Sequence, residues 1–220
     1  MPDTKLTALG AIASVAAEDL FYVVDDPAGT PSSTKATAAQ VKTYVNDWTV
    51  ISSGSVSAAA SLDFTNLSTT YRAYKVVFDN LAPANDVDEL WVRTDTNNGA
   101  SFEAGVADYG WAVHGLDGTP ASSPERDSSD SEIQLSRTNE FGNLTGEIAA
   151  GEITIINPAT AGSKTFVQAM FTQVNSAAVV TVSIAGGLRL TAEANNAVRI
   201  LFAGGNIATM NYTFYGLRAS

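Results

Sequence analysis

From Leu62 to the carboxyl terminus, apolar and polar residues alternate in short runs, and the runs are broken by turn residues. Tyr74, Val76 and Phe78 alternate with Lys75 and Asp79. Leu90 and Val92 alternate with Glu89, Trp91 and Arg93, and Tyr109, Trp111 and Val113 with Asp108, Ala112 and His114. Ile133 and Leu135, Ile153 and Ile155, and Phe166, Gln168 and Met170 against Val167, Ala169 and Phe171 repeat the pattern. So do Val180, Val182 and Ile184, then Val198, Ile200 and Phe202, and finally Met210, Tyr212 and Phe214. A period of two places successive side chains on opposite faces, so these runs predict half-buried strands. The breaks carry turn chemistry: Pro83-Ala84-Asn85, Asn97-Asn98-Gly99, Gly118-Thr119-Pro120, Asn157-Pro158 and Gly204-Gly205-Asn206. Roughly ten short strands at this spacing predict an antiparallel β-sandwich, jelly-roll-like, with no long helix.

The 220 residues suffice for a small module and one medium domain, whose core needs neither metal nor disulfide. There is no cysteine, which excludes disulfides and thiolate chemistry. Twelve basic residues are scattered among twenty-three acidic ones, for a formal net charge of -11. Phosphate recognition needs clustered Lys and Arg, so nucleic-acid binding is not expected, and an anionic membrane surface would repel the chain. No apolar run reaches the length of a membrane span, so no membrane insertion is expected. Leu6 to Ala17 is mildly apolar, but Asp3 offsets Lys5 and Thr7, Gly10 and Ser14 interrupt it, so a cleaved secretory signal is not expected.

The first forty-seven residues read differently. Asp19 to Val24 is aromatic and β-branched, and Asp25-Asp26-Pro27 stops it as a strand. Gly29-Thr30-Pro31 is a turn, and Thr34 to Thr37 a short returning strand. Thr37 can cap a helix from Ala38, in which Val41 and Val45 share a face with Ala38. That helix is too short to stand alone, so this small ββα module must borrow a core from a partner or from copies of itself. The Ser- and Ala-rich stretch from Asn46 to Ser61 is a junction whose Trp48, Val50 and Val56 already belong to the body. The expected domains are therefore residues 1–47 and 48–220.

The segment Asp19-Leu20-Phe21-Tyr22-Val23-Val24-Asp25-Asp26-Pro27, then Gly29-Thr30-Pro31, Lys35 and Thr37, resembles the amino-terminal attachment module of tailed-bacteriophage fibre and appendage proteins. Leu62 to Leu67 followed by Tyr71 to Phe78 resembles the opening of a β-sandwich domain of phage structural proteins, and Tyr212 to Leu217 its closing strand. In such domains the two end strands lie near each other. Residues 115–151 carry no resemblance. The resemblance implies a virion structural protein, made in the host cytoplasm and located in the virion. It would dock to other virion proteins of the capsid or tail, as a homotrimer, and could meet a host-surface glycan. Docking would fall to Leu20, Phe21, Tyr22, Val23, Val41 and Val45. Head and tail locations stay open.

The search for chemistry returns little. His114 is the only histidine, no serine sits in a G-x-S-x-G elbow, and one histidine with carboxylates makes a poor zinc site. Asp86, Asp88 and Glu89 form one acidic cluster, and Asp127, Asp130 and Glu132 another. A glycosidase pair needs two carboxyl groups flanking a sugar, but solvated loop charge, which the net charge of -11 already predicts, is the better explanation of both clusters. Asp95-Thr96-Asn97-Asn98-Gly99 approaches a calcium loop, but its glycine is out of register, and Asn-Gly favours a hairpin turn. Gly186-Gly187 and Gly204-Gly205 open no helix, so they read as bends or bulges rather than phosphate loops. Trp91, Tyr109 and Trp111 are candidate glycan or partner contacts; Tyr109 and Trp111 share a face with Val113, which also suits a core. The polar stretch from Gly115 to Asn143 fits a binding loop and a tolerated insertion equally.

No catalytic, cofactor-binding or metal-ligating residue is expected. The expected function is a non-enzymatic phage virion protein displaying a β-sandwich knob. A carbohydrate-binding adhesin module and a glycan depolymerase remain as alternatives.

Overall fold

The computed structural model describes residues 18, 20–25, 32–38, 48–117 and 124–218. The chain divides into two compact units, Met1–Asp47 and Trp48–Ser220. In the first, β1 (Leu20–Asp25) pairs antiparallel with β2 (Ser32–Thr37), Leu20 opposite Thr37 and Asp25 opposite Ser32. The expected helix beyond Ala38, with Val41 and Val45, lies outside the described residues, and so does the turn from Asp26 to Pro31.

The second unit is mainly β, and every pairing among its described strands is antiparallel. Its strands are β3 (Trp48–Ala59), β4 (Leu62–Phe64), β5 (Tyr71–Pro83), β6 (Leu90–Asp95), β7 (Tyr109–Asp117) and β8 (Pro124–Asp130). They continue with β9 (Ile133–Gln134), β10 (Ala149–Ile156), β11 (Phe166–Val174), β12 (Val180–Arg189), β13 (Ala197–Phe202) and β14 (Ile207–Arg218). An eight-stranded sheet runs β3-β14-β5-β10-β11-β12-β7-β8, and a four-stranded sheet runs β4-β13-β6-β9. The opening strand β5 and the closing strand β14 are direct neighbours.

Alternation explains why the two sheets meet. Tyr74, Val76 and Phe78 of β5, Ile153 and Ile155 of β10, and Leu90 and Val92 of β6 are all buried. They join Val198 and Ile200 of β13 in one hydrophobic cluster drawn from both sheets. The Phe64 ring, on the small sheet, stacks on Phe214 of the large sheet with centroids 4.0 Å apart, and Phe214 stacks in turn on Tyr74 at 5.3 Å. Such offset stacks add to the free energy of burial.

Two local expectations fail. Asn98 and Gly99 do adopt positive φ, but the turn joins β6 of the small sheet to β7 of the large one and closes no hairpin. Gly186 and Gly187 lie in the unbroken register of β12, opposite Gln168 and Val167, and form neither bend nor bulge. A Cβ on Gly187 would stand 2.5 Å from Ile133 Cγ2, so this glycine lets β9 approach the large sheet. Gly204 and Gly205, in contrast, do occupy the turn between β13 and β14. In β12 the period is as read, but the larger apolar residues point away from the core. Val180 and Ile184 are 60% and 48% exposed, while Thr181, Ser183 and Ala185 are buried.

The two adjacent glycines give a paired test. Gly187→Ala should lower unfolding free energy by about 1–3 kcal/mol through overpacking. Gly186→Ala meets nothing closer than 3.9 Å and should cost little or stabilise. Urea denaturation of the two variants and the parent checks this; equal costs would contradict the packing.

Candidate functional site

The polar stretch noted above closes one edge between the sheets. Glu125 of β8 accepts from the Thr138 backbone N–H and hydroxyl, both at 2.8 Å, and from Gln134 Nε2 at 3.4 Å. Gln134 stands opposite Trp91 in the pairing of β9 with β6. The Trp91 indole N–H donates to Glu89 Oε2 at 3.2 Å, and the Asn139 backbone N–H to Glu89 Oε1 at 3.3 Å. The Arg93 guanidinium lies 5.6 Å from the Trp91 ring centroid. Trp91 is half-buried on the outer side of the small sheet, with carboxylate, amide and hydroxyl groups around it.

Behind this rim lies a buried ionic cluster. Arg137 binds Glu140 Oε1 through Nε at 3.0 Å and Nη2 at 2.9 Å, and reaches Asp117 at 3.3 Å. Ser183, on β12, donates its hydroxyl to Glu140 Oε2 at 3.1 Å. An open polar cleft of ≈ 230 Å³ is lined by Glu125, Thr138, Asn139, Glu140 and Ser176 together with Arg137. Burial works against the Arg137 charge, but its bonds to Glu140 and Asp117 outweigh that and hold its pKa above the ordinary value. Burial raises the Glu89 carboxyl, against the lowering effect of the Trp91 and Asn139 donors.

The acidic clusters resolve into turn and strut chemistry. Asp88 is buried, and its Oδ1 accepts the backbone N–H groups of Glu89 and Gly204, both at 2.8 Å. Asp86 and Asp127 bind the backbone N–H groups of Val87 and Ser129. Asp130 holds the Ser131 N–H and the Trp111 indole, and Glu132 pairs with Arg93 at 3.1 Å. Asp95 accepts from the backbone of Asn97, Gly99 and Ser101, which commits its carboxylate to the turn. Among the described residues, no group of three or more His, Asp or Glu side chains is placed to hold a metal ion.

Of the three aromatic candidates, only Trp91 lies at this rim. Tyr109 is fully buried, and its hydroxyl receives the Thr94 N–H at 2.8 Å and donates to the Glu103 carbonyl at 3.1 Å. An external ligand cannot reach it, because the alternation that placed it beside Val113 puts it in the core. Trp111 packs against that core from its margin. In the amino-terminal unit, the Leu20 side chain is 58% exposed, and Phe21, Tyr22 and Val23 take their places in β1. Their side chains, and Val41 and Val45, lie outside the described residues.

A second surface was missed in the sequence. On the outer face of the large sheet an open groove of ≈ 580 Å³ runs over Ala112, His114, Thr154, Gln168 and Gly186 beside Met170 and Ile184. Thr181 and Ser183 take the inward positions of β12, so its apolar residues face outward, a phase that the alternation in the sequence does not give.

No protein-family model, curated protein or solved structure matches this chain.

Because Glu89 titrates above the ordinary value of 4.5, its neutral form is the one favoured by the fold. Its stabilising contribution is complete below that value and is lost as pH rises through the folded pKa. The Trp91 indole proton resonance should therefore titrate with a midpoint above 4.5, and Glu89→Gln should abolish the transition. A midpoint at or below the ordinary value would remove the burial argument.

Proposed function

We propose that this chain is a non-enzymatic structural protein of a tailed-phage particle, docked through residues 1–47 and displaying the β-rich body. The observation that carries this reading is the architecture of the amino-terminal unit. Its described part is a single antiparallel pair, β1 with β2. A two-stranded ribbon is at best marginally stable alone in water and needs a surface to pack on. Leu20 is exposed at the start of that ribbon, in the stretch that resembles phage attachment modules. Leu20, Phe21, Tyr22 and Val23, with Val41 and Val45, are the docking residues of this proposal. The partners are other virion proteins of the capsid or tail, the assembly a homotrimer, and the location the virion, after synthesis in the host cytoplasm.

The body, in this reading, is a jelly-roll-like sandwich serving as a knob. Its carboxylates are engaged as turn anchors and ion pairs, which suits a rigid display scaffold better than turnover. One observation favours a second reading, a carbohydrate-binding adhesin. Trp91 sits at an accessible polar rim with Glu89, Gln134 and Asn139, and such a ring can cover the apolar face of a sugar. A host-surface glycan would bind there; Tyr109 takes no part. A glycan depolymerase would need two of the rim carboxylates, such as Glu89 and Glu125, to flank a glycosidic bond.

The test is direct. Purified full-length chain, mixed with virions stripped of their appendages, should co-sediment with them. Leu20→Asp, at an exposed position, should weaken that binding at least about tenfold while leaving the body folded. Failure of the parent chain to bind any particle component would overturn the proposal.

A further inference from the structure

We propose that the outer face of the eight-stranded sheet is a self-association surface, covered by further copies of this chain. The inference does not rest on the virion reading.

A solvated sheet face normally carries polar residues. Here the outward positions of adjacent strands are occupied by Val77 of β5, Phe166 and Met170 of β11, Ile184 of β12 and Leu116 of β7, each 41–56% exposed. The register makes them neighbours. Met170 lies opposite Ile184, Glu152 lies opposite both Met170 and Val77, and Ile184 lies opposite His114. Isolated exposed apolar residues need no explanation, but five of them on four strands of one face, interrupted on β10 by the paired Glu152, mark an interaction surface.

Charge selects the occupant. The chain carries a formal net charge of -11, so two copies repel over most of their surfaces. On this face, across β5, β10, β11, β12 and β7, Lys75 and Glu152 are bonded to each other at 3.0 Å, and Asp79 of β5, which accepts from Asn211, adds a single negative charge at the margin. The face is thus nearly neutral where the molecule is otherwise acidic, and it matches a copy of itself better than a charged partner. Its relief is also self-complementary. The Met170 and Ile184 ridge stands beside the ≈ 580 Å³ groove floored by Ala112 and Gly186, so the ridge of one copy can enter the groove of another.

The size is adequate. Five strands at about 4.8 Å spacing and nine residues at about 3.4 Å give a footprint of about 24 Å by about 31 Å. Two such footprints come to about 1,500 Å², within the range of specific stable interfaces.

Sedimentation velocity of the full-length chain across a concentration series tests this, with two substitutions on the face and one away from it. The parent should sediment as a multiple of its 22.9 kDa chain mass. Ile184→Glu and Met170→Lys should each weaken self-association at least tenfold, with the far-ultraviolet circular dichroism of a folded β-protein retained; any fall in unfolding temperature should be no more than the lost association accounts for. Met170→Lys sits opposite Glu152, so a lost oligomer there cannot be ascribed to the sign of the new charge or to a repelled neighbour. Val106→Glu, in the loop between β6 and β7 and 83% exposed, should leave association unchanged. A parent that stays monomeric up to about 100 µM would overturn the proposal. So would an oligomer that survives both face substitutions, or one weakened equally by Val106→Glu.

Discussion

The body depends on its last strand. β14 inserts between β3 and β5, so residues at the two ends of the unit are hydrogen-bonded neighbours. It also supplies Phe214, whose ring lies against Phe64 of the opposite sheet and Tyr74 of the adjacent strand. The same strand therefore closes the large sheet laterally and fixes the small sheet above it. β3 has no strand partner until β14 has arrived, and Phe64 of β4 has neither Tyr212 nor Phe214 to pack against. That dependence on contacts of long sequence separation is characteristic of slow, cooperative all-β folding.

A second constraint acts from the polar end. Glu140 is buried, and an isolated buried carboxylate is costly. Arg137, reaching also to Asp117, compensates its charge, and Ser183 reaches it from β12. Thr181 is buried on the same inward side and accepts from the Asn175 amide at 3.3 Å. Small hydroxyl residues thus occupy the inward positions at that end of β12. With a period of two, Val180, Val182 and Ile184 then point outward. The apolar outer face is a consequence of the interior ion cluster, and the two features belong to one arrangement.

This explains where the sequence could be read. Tyr74, Val76, Phe78, Leu90, Val92, Ile153 and Ile155 alternate against polar neighbours, and all seven are buried as expected. The placement of Trp91 opposite Leu90 and Val92 was legible in the same way. Alternation gives the period but not the phase, and β12 is apolar or small on both sides. Only the position of Glu140, forty-three residues earlier, decides which side faces inward. The same limit applies to the glycines. Gly187 is needed because Ile133 comes close from another sheet, and no local pattern encodes that approach. For the rim, the convergence of Arg137 and Glu140 with Glu125, Glu89 and Trp91 required β6, β8 and the loop after β9 to be placed.

The two edges of the large sheet differ in a way that bears on association. β8 carries Pro124, Glu125, Arg126, Asp127 and Asp130, and charge and proline on an edge discourage another strand from pairing there. β3 spans twelve residues with no charged side chain, and Val50 and Ile51 are 57% and 43% exposed. Protection is thus concentrated at the β8 edge and at the acidic turns, away from β3 and from the sparsely charged outer face. A chain as acidic as this one discourages indiscriminate contact between copies by repulsion alone. Contact between copies is least opposed where that repulsion is locally weakest, which is the sparsely charged outer face from β3 to β7. Selection against the wrong contacts and provision for the right one are therefore both written in the distribution of charge, while the fold beneath is set by the phase of its apolar residues.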